Sequence, residues 1–304
     1  MQGLRWLGVA LTVGALAFAG CGDDEEPAGG GASGESTPAA TETAAAEKFD
    51  PASTLGKIQE KGEITIGVKF DVPPFGVKNP QSGEVEGFDI EMGKAVAAKL
   101  GVEPKFIEAI SDNRIPFLED GTADLILSTM TINEERVQQI EFSDPYFIAR
   151  GRVLVPGDSD ITGVESLAGK NVCTALGSTY EANLEKQAPE AKLKLVDSYS
   201  ECLELVQNGA VDAVSTDDVI LTGMIIQDDT LKLVGEPLTQ EPYGAGIKKG
   251  ETEMVEFVNG VFQELKDNGK WAELHQEWIG KYTGESAEPP TMTVDEAVET
   301  VKNN

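Results

Sequence analysis

Ser128-Thr-Met-Thr-Ile-Asn-Glu-Glu-Arg136, running on into Phe142-Ser-Asp-Pro-Tyr146, is the stretch on which the reading of the chain turns. Before it, Asp124 to Leu127 has the apolar run of a short buried strand. Asn133 reads as a helix N-cap, and Glu134 and Glu135 follow where the positive end of the helix dipole favours acids. Arg136 opposes that dipole, so something else must hold it there. A bound carboxylate would do so, because a guanidinium grips a carboxylate with two parallel charge-assisted hydrogen bonds. A surface ion pair with Glu135 or Glu141 is the competing explanation.

Outward from this stretch, strands and helices alternate. Ile64, Ile66, Val68 and Phe70 alternate with Thr65, Gly67 and Lys69, a strand pattern. Asp89 is expected to cap a helix that carries Ile90, Val96, Ala97 and Leu100 and ends at Gly101. Lys105–Ala109 reads as a strand and Arg114–Glu119 as a helix. A similar pass follows: strand Asn171–Ala175, turn Gly177-Ser-Thr179, helix Tyr180–Gln187, strand Leu193–Val196, helix Ser200–Asn208, strand Val211–Ser215, and a helix opening at Asp217. Two consecutive βαβαβ-like runs predict two α/β lobes. Arg152–Val155 and Tyr243–Ile247 are the expected crossings between them, with Glu251–Tyr282 packing back on the first lobe.

Three blocks in order, Gly87-Phe-Asp-Ile-Glu-Met-Gly-Lys94, Pro116-Phe-Leu-Glu-Asp-Gly-Thr-Ala-Asp124 and Thr129–Arg136 with Phe142–Tyr146, resemble the bacterial extracellular solute-binding proteins for polar amino acids, the receptors of ABC importers. The resemblance covers roughly Leu55 to Tyr282 and looks closest to the glutamate-binding lipoproteins of actinobacteria. It implies a periplasmic-binding-protein-like fold, two lobes with a ligand cleft between them and two hinge strands. The first lobe is expected to be discontinuous, residues 54–153 and 244–283, with 154–243 as the second. An exported family also implies a bridge between Cys173 and Cys202, with two buried thiols as the alternative.

The charge and the ends fit that class. The 304-residue chain carries 53 acidic against 24 basic residues, a formal net charge of −29, which argues against nucleic acid or an anionic membrane face as partner. Arg5, the apolar run Trp6–Phe18 and Ala17-Phe-Ala-Gly-Cys21 make residues 1–21 read as a leader, and the last of these resembles a lipobox, with Phe18 where a lipobox usually carries Leu. Cys21 is the expected lipid anchor at the outer face of the membrane. Residues 22–53 are Gly-, Ala-, Pro- and Glu-rich with no hydrophobic period and read as a disordered acidic linker. The tail, 284–304, lies beyond the resemblance, and its Val294, Ala297, Val298 and Val301 predict one short amphipathic helix.

A free amino acid presents a carboxylate, an ammonium and a side chain, and each needs a partner once buried. By resemblance, Arg136 takes the α-carboxylate, with backbone N–H groups at Ser178 and Thr179 holding it from the other lobe; ordinary capping is the plainer role of those two. Thr131, the carbonyl of Thr129 and Asp217 are the implied acceptors for the ammonium, although Asp217 is equally placed to cap a helix. Lys69 stands where glutamine-binding relatives carry an acid, and with Arg114 it favours an anionic side chain, glutamate or aspartate, with glutamine or asparagine as the other candidates. Phe75 is expected against the ligand stem or in the lobe core. The one histidine, His275, sits among Trp271, Leu274 and Trp278 and reads as a core residue rather than a catalyst. No cofactor, metal set or acid–base pair is predicted, and a monomer delivering ligand to permease subunits is expected. The rival readings are a sensor for a membrane signalling partner and a dehydratase-like or cell-wall lytic enzyme on the same fold.

Overall fold

The computed structural model describes residues 47–284 and 286–304. The leader, Cys21 and the linker through residue 46 lie outside them.

The described residues build two large sheets and a small third one. The first runs in the order Glu103–Glu108, Glu63–Val68, Leu125–Ile126, Gly246–Ile247, Glu141–Phe142. Its first three strands are parallel, while Gly246–Ile247 is antiparallel to both of its neighbours. Ile64, Ile66 and Val68 are fully buried, as a parallel strand covered by helices on both faces requires. The second sheet runs Lys192–Val196, Asn171–Ala175, Ala213–Asp217, Phe147–Pro156, Leu231–Val234. A three-stranded meander, Asp71–Val72, Gly76–Lys78 and Val85–Glu86, hangs from the first lobe.

The crossings differ from the sequence expectation. Phe147–Pro156 is one ten-residue strand that changes partner midway: Phe147–Arg150 pairs with Gln240–Tyr243, and Gly151–Pro156 pairs inside the second sheet. Arg152–Val155 therefore belongs to the second lobe, and the paired hinge is 147–150 with 240–243. A strand that stays extended throughout carries no mark in its sequence of where its neighbour changes.

Helices Thr252–Asp267 and Lys270–His275 pack back on the first lobe beside helix Phe88–Leu100, and Trp271 Nε1 donates to the carbonyl of Tyr146 at 2.8 Å. The end of the acidic segment is held as well, against the expectation of disorder to residue 53. Phe49 stacks edge-on against Phe257 at 5.4 Å, and Ser53 caps helix Thr54–Lys61. The tail forms the helix Val294–Lys302, opened by a capping box of Thr293 and Glu296. Its Ala297 is fully buried in an apolar cluster with Ile126, Met130 and Phe142 of the first lobe. Beyond it, Asn304 and Gln240 of the hinge exchange two hydrogen bonds of 3.0 Å. The cysteines 173 and 202 form a disulfide with a Cα–Cα separation of 5.6 Å.

Candidate functional site

Asn133 caps helix Glu134–Gln139 by accepting the N–H of Arg136 at 2.9 Å. That fixes Arg136 in the first turn with its side chain turned inward, buried rather than paired with Glu135 or Glu141. Its Nη1 donates to the carbonyl of Thr131 at 2.7 Å and its Nη2 crosses to the second lobe, donating to the carbonyl of Gly177 at 3.0 Å. Arg114 reaches the same oxygen with Nη2 at 3.3 Å. Two guanidinium groups of one lobe thus converge on a single carbonyl of the other.

Arg114 also holds its own lobe. Its Nε donates to Ser111 O, and its Nη1 to Ser128 O and Thr129 O, at 2.9–3.1 Å. The Thr129 carbonyl named as an ammonium acceptor is thus already an acceptor for Arg114. Burial, with Arg136 nearby, lowers the Arg114 pKa to about 9, still well above neutral pH, so the group remains a cation.

Thr129 is the one non-glycine residue with positive φ among the described residues, at 46°. Such a conformation persists only where the surroundings hold it, and Asp89 does so. Its Oδ2 accepts the Thr129 N–H at 3.0 Å and its Oδ1 accepts the Tyr146 hydroxyl at 2.7 Å. Asp89 is therefore not a helix cap: Gly87 occupies the N-cap of Phe88–Leu100, and the carboxyl points into the lobe. Burial raises its pKa to about 7.

From the second lobe, Asp217 precedes helix Asp218–Gln227 but makes no side-chain cap bond. Its carboxylate is buried and accepts the Tyr180 hydroxyl at 2.8 Å. Burial and then the neighbouring Glu241 push its pKa well above the ordinary carboxylate range, although its charge also acts on Arg114 and Arg136. Glu241, fully buried, accepts from Thr179 Oγ1 at 2.9 Å and Asn183 Nδ2 at 3.2 Å. Thr179 thus spends its hydroxyl on Glu241 rather than on capping, and Ser178 Oγ accepts the N–H of Tyr180 at 3.3 Å.

Seven residues singled out in the sequence, Arg114, Thr129, Thr131, Arg136, Ser178, Thr179 and Asp217, line one cavity between the lobes. It encloses about 10 Å³, room for about one water, so the lobes are closed on each other. Beside it lies a groove of about 560 Å³, lined by Arg136, Ser178 and Thr179 and walled on one side by Val301 of the tail helix. Lys69, just beyond strand Glu63–Val68, is buried and donates to Ser111 Oγ at 2.9 Å. Burial, then Arg114, depresses its pKa to about 7.

Phe75 takes the other of its two expected places. It lines no part of this cavity and packs edge-on to Phe88, Phe147 and Tyr243 at 5.0–5.7 Å. Sequence reasoning missed Ser111, Tyr180 and Tyr199, which complete the cavity wall. It also passed over Gly177, whose carbonyl meets both arginines. Gly177 has φ +72°, and a Cβ there would stand 2.7 Å from Asp112 Cα of the opposite lobe; only glycine lets the two backbones approach so closely. Of the missed residues, Gly177 and Tyr180 lay in stretches already noted, the turn and the first position of the helix after it.

Two α/β lobes, two extended hinge segments and charged groups of both lobes meeting in the cleft define a two-lobed solute-binding protein. Residues 64–281 match the bacterial extracellular solute-binding proteins, family 3, and the chain belongs to that family. It is 41% identical over 238 residues to the ABC transporter glutamine-binding protein GlnH of Bacillus subtilis, covering 77% of this chain and 87% of that one. The glutamate-binding protein GluB of Corynebacterium efficiens is 30% identical over 237 residues, covering 73% and 80%. Among solved structures, an ancestral arginine-binding protein bound to glutamine superimposes with a TM-score of 0.69 at 39% identity, covering 72% of this chain and 98% of that one. Of the two relatives, the glutamine-binding protein is the more similar.

Proposed function

We propose that this protein is the receptor of an ABC importer for a polar amino acid, held at the outer face of the membrane through Cys21, and that its preferred ligand is acidic, glutamate or aspartate. The observation that carries the proposal is the meeting of Arg136 and Asp217, from opposite lobes, in one buried cavity next to Lys69. The α-carboxylate displaces the Gly177 carbonyl from Arg136 and gains a bidentate partner. The ammonium meets Asp217 and Thr131, placing a positive charge directly against a carboxyl that burial and Glu241 disfavour as an anion. Because these groups come from different lobes, ligand stabilises the closed form by touching both halves. The chain then presents a closed shape to permease subunits.

Lys69 sets the side-chain preference. An ammonium has three N–H donors, and Ser111 takes one of them. A ligand carboxylate is the acceptor that also supplies the opposite charge. The second reading, glutamine, is favoured by the same group in its neutral form and by the more similar of the two relatives.

Calorimetry of the full chain with glutamate, aspartate, glutamine, asparagine and arginine tests both. Arg136→Ala is expected to cost every ligand roughly 2–5 kcal/mol, since a buried charge loses its partner. Lys69→Met is expected to weaken glutamate and spare glutamine. The sign of the pH dependence follows from a depressed amine. Lys69 is charged below its pKa of about 7 and neutral above it, so the affinity ratio of glutamate to glutamine falls as pH rises through 7, by up to about tenfold per unit. Titration of Asp217 acts on both ligands and cancels in the ratio. A flat ratio, or a preference for arginine, would sink the acidic reading.

A further inference from the structure

On the side of the hinge away from Arg136 lies a second cavity, a groove of about 500 Å³, within the size range of small-molecule sites. Its floor is the hinge strand itself, which turns Ile148, Arg150 and Arg152 to one face. One wall is helix Asp218–Gln227 of the second lobe, through Val219 and Thr222. The other is first-lobe Trp271 and His275, stacked at 5.2 Å, with Phe147 stacked on His275 at 6.1 Å.

The arginines are the informative part. The whole chain has five, at positions 5, 114, 136, 150 and 152. Two meet in the cleft and two stand here, in a protein of net charge −29. Every ion pair among the described residues uses lysine, so neither hinge arginine is neutralised at contact distance. Arg152 Nε is buried with no hydrogen-bond partner among the described residues. Asp218, the nearby acid, accepts the backbone N–H groups of Arg150 and Val219 at 3.1 and 2.9 Å, and both arginines act on it electrostatically, so one carboxylate is shared between two guanidinium groups. Glu288 lines the groove from the tail side.

We infer that this groove is a second ligand site, for a small carboxylate with an aromatic or branched apolar body: the carboxylate on Arg150 and Arg152, the body against Trp271 and Val219. The site is also a lever on the cleft, and that part rests on the proposed amino-acid reading. Its walls belong to different lobes, and parting the lobes at the Arg136 side swings the walls together on this side. An occupant therefore opposes opening, tightening amino-acid binding, and by reciprocity a bound amino acid tightens the occupant by the same factor.

Phenylacetate is the probe, with neutral phenylacetamide as its control, each titrated by saturation-transfer NMR against the full chain without amino acid. Phenylacetate is expected to bind at least roughly tenfold more tightly than the amide, the range expected of hydrogen bonds to a charged group. Arg152→Gln should remove that preference, and Thr222→Trp, which fills the groove from the helix wall and leaves both arginines in the sequence, should abolish binding of both probes. No binding up to about 10 mM, equal binding of acid and amide, or binding that survives Thr222→Trp overturns the site. These arms use no amino acid, so they stand or fall apart from the reading of the cleft. A final titration with glutamate bound tests the lever: mutual tightening by a common factor supports it, and independent binding overturns it.

Discussion

Gly223→Ala separates the energetics of closure from those of folding. Gly223 lies inside helix Asp218–Gln227 of the second lobe, and a Cβ built on it would stand 1.8 Å from the Pro73 carbonyl oxygen of the first. Within the helix the change is favourable, because alanine is about 1 kcal/mol better than glycine in a helix interior. Across the cleft it is not. A carbon cannot sit so near a carbonyl oxygen, and the obstacle is backbone rather than a side chain that could turn aside. Overfilling a packed contact costs about 1–3 kcal/mol, and here the cost falls on the closed form alone. The expected result is a protein whose thermal midpoint without amino acid is unchanged or raised, while its amino-acid affinity falls roughly 5- to 150-fold. Differential scanning calorimetry and isothermal titration on the same preparation read the two quantities, and small-angle scattering reads whether saturating ligand still closes the lobes. Unchanged affinity would refute the view that Gly223 and Pro73 meet only when the lobes close. A lower midpoint with a parallel loss of affinity would place the damage in the fold instead.

Two further expectations concern stability. Cys173 and Cys202 lie 29 residues apart and tie helix Tyr199–Gln207 to strand Asn171–Ala175. Loop-closure entropy for that span corresponds to about 3–4 kcal/mol, so urea unfolding of the double Cys→Ala variant should report a loss of roughly that size. A variant as stable as the parent would show that the bridge does not constrain the unfolded chain. Asp89 concerns pH: its folded-state pKa is raised from 3.8 to about 7, so the fold holds this proton more tightly than the unfolded chain does. Its contribution to stability is therefore lost as pH rises from about 4 to 7, by at most about 4 kcal/mol. Asp89→Asn can still accept the Thr129 N–H and can donate to Tyr146, so it should remove that part of the decline. Parallel urea midpoints for the two proteins across the window would mean that Asp89 does not titrate as described.

The sequence carries some of this architecture openly. Arg136 stood out because a cation in a first helical turn contradicts the dipole, and Asn133 beside it had one sensible role. Alternating Ile64, Ile66 and Val68 and the glycine after Leu100 mark their elements by period and by stop signal. Other features share their chemistry with something commoner. Asp89 and Asp217 precede or open helices, where aspartate usually caps, yet both carboxylates turn into the interior to meet tyrosine hydroxyls. A cap and a buried acceptor are written with the same residue, and only the tertiary partner tells them apart. Tyr199 and Ser111 line the cavity from places without a motif, and the contribution of Gly177 is a backbone oxygen, which no side chain announces. The hinge was shifted by several residues because Phe147–Pro156 is uniformly strand-like. The tail helix was legible from its four apolar positions, but its seat on the first lobe was not, since a docking face leaves its trace in another part of the chain.

The strand order of the first sheet bears on how the polypeptide reaches this shape. Gly246–Ile247 sits between Leu125–Ile126 and Glu141–Phe142, so a central strand is supplied from beyond the whole second lobe. A nascent chain, emerging from its N-terminus, can complete residues 151–239 as a local unit while the earlier sheet still lacks its bridge. Until residue 247 appears, the fully buried edge Leu125–Ile126 has backbone groups with nothing to pair them on that side, the condition that invites association with other chains. The final pairing closes a loop of about 120 residues. The entropy of that closure grows only slowly with length, but the search behind such non-local contacts is slow. During biosynthesis the vulnerable half of the molecule is thus the half made first.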